Sequence, residues 1–359
     1  MTVAPLNLTR FDRTCHPPTW ARGPHLQTIL GNYLPSVGPE GVGEERLVDL
    51  GDGDRLRGEV WAGTSDTVVL IFHGLGGSTE APYVRRTLRW LQGAGHTGWA
   101  FNHRGCGSGR GLAAQPYHSG RADDVGAVIG AARAAHPDHR ILAIGYSLSG
   151  NALLLNLGEG IGVFPKPDAA IAVNPPVDLR VCADLLGTGF NRLYDIRFIK
   201  RCLEAVRQRE EDGLIPKGSF KPRWWRDLQT FDDDFTAPAG GFQDRFDYYA
   251  RCSAGPHLAN ITTPTVILQS ADDPFVAAQG VIEAPKSDAV FLHLEATGGH
   301  MGYLDATIPD RRWMDEAVSH YLEELRVRLG CQVQARSSRL EAQEITEEPA
   351  FTEPQGSAP

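Results

Sequence analysis

Ser147 is the residue whose surroundings speak most directly of chemistry. It stands at the apex of Gly145-Tyr-Ser147-Leu-Ser149-Gly150, directly after the apolar run Ile141-Leu-Ala-Ile144. A serine on a tight strand-to-helix turn between small residues has an exposed hydroxyl on a strained backbone, which suits a nucleophile. Gly145 meets that steric demand, while Ser149 stands where a second glycine is usual, with Gly150 following at once. Taken alone, a G-x-S-x-small pentapeptide reads equally as a plain strand–turn–helix corner. Its partners have to come from elsewhere in the chain.

Two candidate partners lie far downstream. The run Thr265-Val-Ile-Leu-Gln269 leads into Ser270-Ala-Asp272-Asp273-Pro-Phe275, and Val290 to Leu294 leads into Gly298-Gly-His300-Met-Gly302. Singly, an acidic pair is most simply a turn and a histidine among glycines a loop residue. A serine elbow, then an acid, then a histidine, each just past a strand, is the order in which histidine takes the serine proton and a carboxylate orients the imidazole. The expected set is Ser147, His300 and Asp273, with Asp272 as the alternative acid. A further glycine-rich loop, His73-Gly-Leu75-Gly-Gly-Ser78, follows the apolar run Thr67 to Phe72. Backbone N–H groups of such a loop can bind a developing oxyanion, and Leu75 together with Leu148 are the expected donors. A phosphate-binding loop would need Lys-Ser/Thr after the glycines, and Gly77-Ser78-Thr79 has no lysine.

The elements that must hold these loops are an alternation of strands and helices. Glu45 to Leu50 and Leu56 to Trp61 flank Gly51-Asp-Gly-Asp54 and predict a hairpin. Strands are expected at Thr67 to Phe72, Thr97 to Asn102, the elbow strand, and Ala169 to Val173, and helices at Ala81 to Gln92 and Ala122 to Ala135. Residues 14 to 35, rich in Pro, Gly and aromatics, read as an irregular N-terminal arm. Asn102-His-Arg-Gly-Cys-Gly-Ser-Gly-Arg-Gly111 superficially resembles a dinucleotide fingerprint, but Pro116 and the lack of a helical period after it favour a strand-end loop. Between Val177 and about Ile261 the alternation stops, which predicts a helical cap insertion containing Trp224-Trp225 and Tyr248-Tyr249. Those aromatics read first as packing of that subdomain. Arg311 to Leu329 is expected to close the fold as an amphipathic helix, and residues 331–359 to be a disordered acidic tail. The organisation is thus an arm over 1–44, a main domain over 45–330 with the cap at about 177–261, and the tail.

The chain has 359 residues, 42% of them hydrophobic and 22% charged, which is enough apolar material for a sizeable core. A net charge of -9 and the lack of any Lys/Arg-rich run argue against nucleic acid as a partner. The cysteines at 15, 106, 182, 202, 252 and 331 have neither a C-x-x-C pair nor metal-ligand spacing, and read as reduced thiols. No apolar run is long enough to span a bilayer and no signal peptide is legible, so a cytoplasmic enzyme without an integral membrane segment is expected.

The chain resembles the YheT-like branch of the α/β-hydrolase superfamily, related to Emb8-like plant proteins and abhydrolase-domain lipases. The resemblance runs from Trp20 to Tyr303 through His25-Leu-Gln-Thr-Ile29, His73 to Ser78 with Pro82-Tyr83, Asn102 to Gly107, Tyr117-His-Ser-Gly120, the elbow, Phe231-Asp-Asp-Asp-Phe-Thr-Ala-Pro238, Asp272-Asp-Pro-Phe275 and Gly298-Gly-His-Met-Gly302. Two positions depart from its pattern. Ser149 replaces the family's glycine in Ser-Leu-Gly-Gly-Asn, and His103 replaces the phenylalanine in Asn-Phe-Arg-Gly-Cys. The superfamily's small-x-x-Asp spacing after the strand selects Asp273 over Asp272. The resemblance implies a mostly parallel central sheet with helices on both faces and a helical cap. It also implies hydrolysis of short to medium carboxylic esters without metal or cofactor, the substrate being a small ester or acyl-lipid. Some relatives are similar to phospholipases or alcohol acyltransferases, and a non-catalytic ligand-binding version of the fold is the reading from another class.

Overall fold

The computed structural model describes residues 5–219, 227–308 and 312–346, with side chains as far as residue 330. Eight strands, β1 (Glu44–Asp49), β2 (Arg55–Trp61), β3 (Thr67–Phe72), β4 (Thr97–Phe101), β5 (Arg140–Tyr146), β6 (Ala169–Val173), β7 (Thr265–Ser270) and β8 (Val290–Glu295), form one sheet. Its order is β1-β2-β4-β3-β5-β6-β7-β8. The expected hairpin is present, with Asp49 opposite Arg55, and β2 also runs antiparallel to β4. From β4 to β8 every pairing is parallel.

Helices α1 (Pro24–Tyr33), α2 (Pro82–Gly93), α3 (Ala122–Ala135) and α4 (Leu148–Gly158) precede β6. Between β6 and β7 come α5 (Leu179–Leu186), α6 (Arg192–Glu211), α7 (Leu228–Phe231), α8 (Ala237–Gly240) and α9 (Arg245–Cys252), with a π turn at Asp232–Thr236. The helices α10 (Ala278–Glu283) and α11 (Trp313–Thr346) follow β7 and β8 respectively. Successive side chains of a strand point to opposite faces, so an apolar run can serve two cores at once. On β3, Val68, Leu70 and Phe72 join α3 and α4 in one core. Val69 and Ile71 join Leu88 of α2 and Trp313 and Tyr321 of α11 in the other. Each of these fully buried aliphatic side chains contributes about 1.5–3 kcal/mol, enough to fix β3 at the sheet's centre.

The arm departs from expectation. Residues 24–33 are helical rather than irregular, because a proline at the first helical position lacks only an N–H that would be unpaired anyway. Gly23, at φ 91°, turns the chain into that helix. Gly31 lets α1 lie on the loop that carries His300, since a Cβ there would sit 2.4 Å from the Cα of Gly302. At the other end α11 continues to Thr346, past the Leu329 end read from periodicity. The remainder of the expected tail, and Trp224-Trp225, lie outside the described residues. Among those described, no helix is long and apolar enough to cross a membrane.

Candidate active site

The elbow forms as its residue sizes require. Ser147 sits between β5 and α4 at φ 53°, ψ -120°, a region disfavoured for a residue with a side chain. Gly145 must be glycine, because its Cβ would lie 2.5 Å from the Ser149 carbonyl oxygen. The other two residues stand in the loops that follow β7 and β8. His300 Nδ1 donates to Asp273 Oδ2 at 2.7 Å, and Ser147 Oγ donates to His300 Nε2 at 2.9 Å. A carboxylate accepts only, so this contact keeps the proton on Nδ1 and leaves the Nε2 lone pair facing the serine. Asp273 is buried, and its other oxygen accepts from the amides of Phe275 (3.2 Å) and Val276 (2.9 Å). Asp272 points elsewhere, accepting from Ser270 Oγ at 2.6 Å and from the Gly299 amide at 2.8 Å. It ties the two loops together but does not reach the imidazole ring.

Leu75 lies beside Ser147 in both pockets that meet there. Its neighbours are fixed, with the Gly74 amide donating to Tyr83 Oη and the Gly76 amide to Tyr117 Oη, each at 2.9 Å. Among the described residues, no hydrogen bond engages the N–H of Leu75 or that of Leu148 at the start of α4. Both amides remain available to a negatively charged oxygen.

The two departures from the family pattern touch one another. His103 Nε2 lies 2.6 Å from Ser149 Oγ and 3.0 Å from the His73 carbonyl, which also accepts from the Ser149 hydroxyl. The small triangle is buried and joins the elbow helix to the first residue of the Leu75 loop. Burial pushes His103 down to about 4 and His73 down to about 3, so both rings are neutral at pH 7 and His103 serves as an N–H donor.

Several residues of the site have no role that the sequence alone assigns. Asn174, at the end of β6, donates to Asp273 Oδ2 at 2.7 Å and accepts from Tyr303 Oη at 2.7 Å. Thr28 of α1 accepts the His300 amide at 2.8 Å, and Gln27 accepts that of Leu304 at 2.6 Å. The arm helix therefore positions the histidine loop. Asn151, the last residue of the elbow motif, holds the segment between β6 and β7 by donating to the Cys252 carbonyl at 2.7 Å and accepting from the Ala254 amide at 2.9 Å.

An apolar pocket opens from Ser147 towards α5, α6 and α9, lined by Leu179, Leu186, Phe198, Val206, Phe231 and Tyr248 among others. One carboxyl also faces it, that of Asp232, which accepts from Tyr249 Oη at 2.7 Å and which burial pushes up to about 7. Below about pH 4 the carboxyl is protonated folded or unfolded, and its contribution to stability is fully present; that contribution is lost as pH rises through about 7. Relative to Asp232→Asn, which mimics the neutral acid at every pH, wild type should therefore gain stability steadily as pH falls from about 7 to about 4. Urea unfolding of both proteins across that range checks it, and a constant gap would show that the buried carboxyl is not protonated.

With this geometry in view, the comparisons with known proteins are of one kind. The family model described as alpha/beta hydrolase fold matches residues 67–158. The chain is 32% identical over 260 residues to "Putative esterase YheT" of Escherichia coli (strain K12), covering 71% of this chain and 76% of that protein. It is 25% identical to Phospholipase ABHD3 of Homo sapiens over 86% of this chain and 78% of that one. To Embryogenesis-associated protein EMB8 of Picea glauca it is 26% identical, over 84% and 70%. Among solved structures, the Pyrococcus furiosus esterase Pf2001 superposes with a TM-score of 0.53 at 17% identity, covering 82% of this chain and 98% of that chain. Est1E of Butyrivibrio proteoclasticus does so with a TM-score of 0.52 at 16% identity, over 79% and 99%. At such identities the structural likeness shows the fold alone, which is the α/β-hydrolase fold. The chain belongs to the YheT/Emb8-like branch of the α/β-hydrolase superfamily.

Proposed function

We propose that this protein is a cytoplasmic serine hydrolase that cleaves carboxylic esters of short to medium acyl chains through an acyl-enzyme. The observation that carries the reading is the continuous hydrogen-bonded chain from Ser147 through His300 to the buried Asp273. Ser147 Oγ attacks the ester carbonyl carbon as its proton passes to His300 Nε2. The tetrahedral oxyanion is held by the amides of Leu75 and Leu148, and loss of one such donor typically costs about a hundredfold or more. Collapse breaks the bond to the alcohol oxygen, which receives the proton from His300 and leaves. Water then repeats the sequence on the acyl-serine, and Asp273 stabilises the imidazolium in both halves. The relatives named esterase and phospholipase favour ester or acyl-lipid substrates.

The helical segment between β6 and β7 acts in this reading as the cap, its apolar side chains receiving the acyl group. A methylene buried there is worth about 0.8 kcal/mol, so kcat/KM should climb roughly fourfold per carbon until the chain meets the pocket's end, then fall. A series of p-nitrophenyl esters from acetate to palmitate measures this, and added ethanol reveals any transfer to alcohol instead of water. A flat profile, or a maximum at palmitate, would remove the closed acyl pocket from the account.

A further inference from the structure

Ser147 lies where two pockets of opposite character meet. Leu75, Phe198 and Phe275 line both with it, but the second pocket, which also holds His300, contains two arginines of α6, Arg197 and Arg201. These are four residues apart and so project from one face of the helix. Arg197 donates to Tyr33 Oη at 2.6 Å and lies over the Tyr33 ring, 5.0 Å from its centroid. Arg201 donates to the Gly76 carbonyl at 2.7 Å, and its stem packs where a Cβ on Gly76 would stand. These contacts fix both side chains through neutral groups. Among the described residues neither guanidinium forms an ion pair. The nearby acid of α6, Asp195, is buried and accepts the Leu228 amide, and Glu80 of the same pocket is mostly exposed and lies 3.6 Å from Arg85. In a chain with a net charge of -9, two oriented arginines without an ion pair among the described residues thus line the pocket that also holds His300.

If the acyl chain enters the apolar pocket, the alcohol part of the ester must lie in the second one. Resting on the hydrolase reading above, we infer that the preferred substrates carry an anionic group on their alcohol part, bound by Arg197 and Arg201. Phosphate, with a charge of about -1.5 to -2 and three acceptor oxygens, suits a pair of guanidiniums better than a carboxylate does.

The test uses three butyrate esters that differ only in the alcohol: glycerol, glycerate and glycerol 3-phosphate. Wild type at low salt should show a kcat/KM roughly tenfold higher for the phosphate ester than for the glycerol ester, mostly through KM, with the glycerate ester between. That ratio should shrink as salt shortens the screening length, and should approach one in the Arg197→Gln/Arg201→Gln double variant. Arg197→Gln alone, whose side-chain hydrogen bond among the described residues goes to Tyr33, should lower the ratio part of the way and keeps the test usable if the double variant does not fold. A glycerate ester preferred over the phosphate ester would keep the anion site and overturn phosphate as its ligand. Hydrolysis of the glycerol ester without preference for either anion, or a preference that survives both variants, overturns the inference and leaves the hydrolase reading standing. Failure of wild type to turn over any of the three, with Ser147→Ala indistinguishable from it, would bring down the hydrolase reading and this inference together.

Discussion

Ser147→Ala is expected to abolish hydrolysis of p-nitrophenyl butyrate, lowering kcat by roughly six orders of magnitude if the elbow serine is the sole nucleophile. The deleted atom is the one that His300 Nε2 faces at 2.9 Å, and no other hydroxyl hydrogen-bonds that nitrogen among the described residues. Ser149 is two residues away, but its oxygen is turned into the buried triangle with His103 and His73. It cannot substitute for Ser147 without breaking those bonds. Stability should change little, since alanine meets the same backbone strain at φ 53° and the lost hydroxyl is partly open to solvent. Retained activity together with an unchanged urea midpoint would remove Ser147 from the chemistry rather than from the fold.

The second large effect separates two adjacent acids. Asp273→Asn should lower kcat by roughly four orders of magnitude, while Asp272→Asn should keep most activity. At position 273 one oxygen accepts from the Phe275 and Val276 amides, so the new amide would keep its carbonyl there and turn its NH2 towards His300 and Asn174. That NH2 meets the donor of Asn174 and forces His300 to accept on Nδ1, placing the ring proton on Nε2, where it opposes transfer from Ser147. The penalty is thus a wrong tautomer rather than a missing residue, and kcat should fall while the fold persists. An asparagine at 272 can still offer one oxygen to Ser270 and Gly299, the contacts its neighbour needs for loop position. Steady-state kinetics of both variants on one ester decide, and the reverse ranking would assign the orienting role to Asp272.

Much of this architecture can be read from one dimension, for physical reasons that particular residues make plain. β3 and β5 are β-branched or apolar runs because both faces are covered, and such runs are visible without knowing their neighbours. The elbow is legible because steric limits act over two or three residues, as Gly145 against the Ser149 carbonyl shows. Asp273 and His300 are legible as strand-end loops in a recognisable order. The arm helix was hidden because proline and glycine dominate its start, although both are compatible with a helix beginning at Pro24. Thr28 and Asn174 were hidden for another reason. Their partners lie 272 and 99 residues away, and a polar side chain gives no local sign of which distant amide or carboxylate it will meet. The same holds for Ser149 and His103, two separate departures in sequence that become one buried contact in space.

The central claim is that Ser147 forms a covalent intermediate, and labelling with a fluorophosphonate tests it without any knowledge of the natural substrate. Intact mass spectrometry of wild type should show a single adduct per chain, mapped to the peptide carrying Ser147, with Ser147→Ala unlabelled and Asp273→Asn labelled far more slowly. A wild-type mass that does not change, or an equal adduct on Ser147→Ala, would contradict the account.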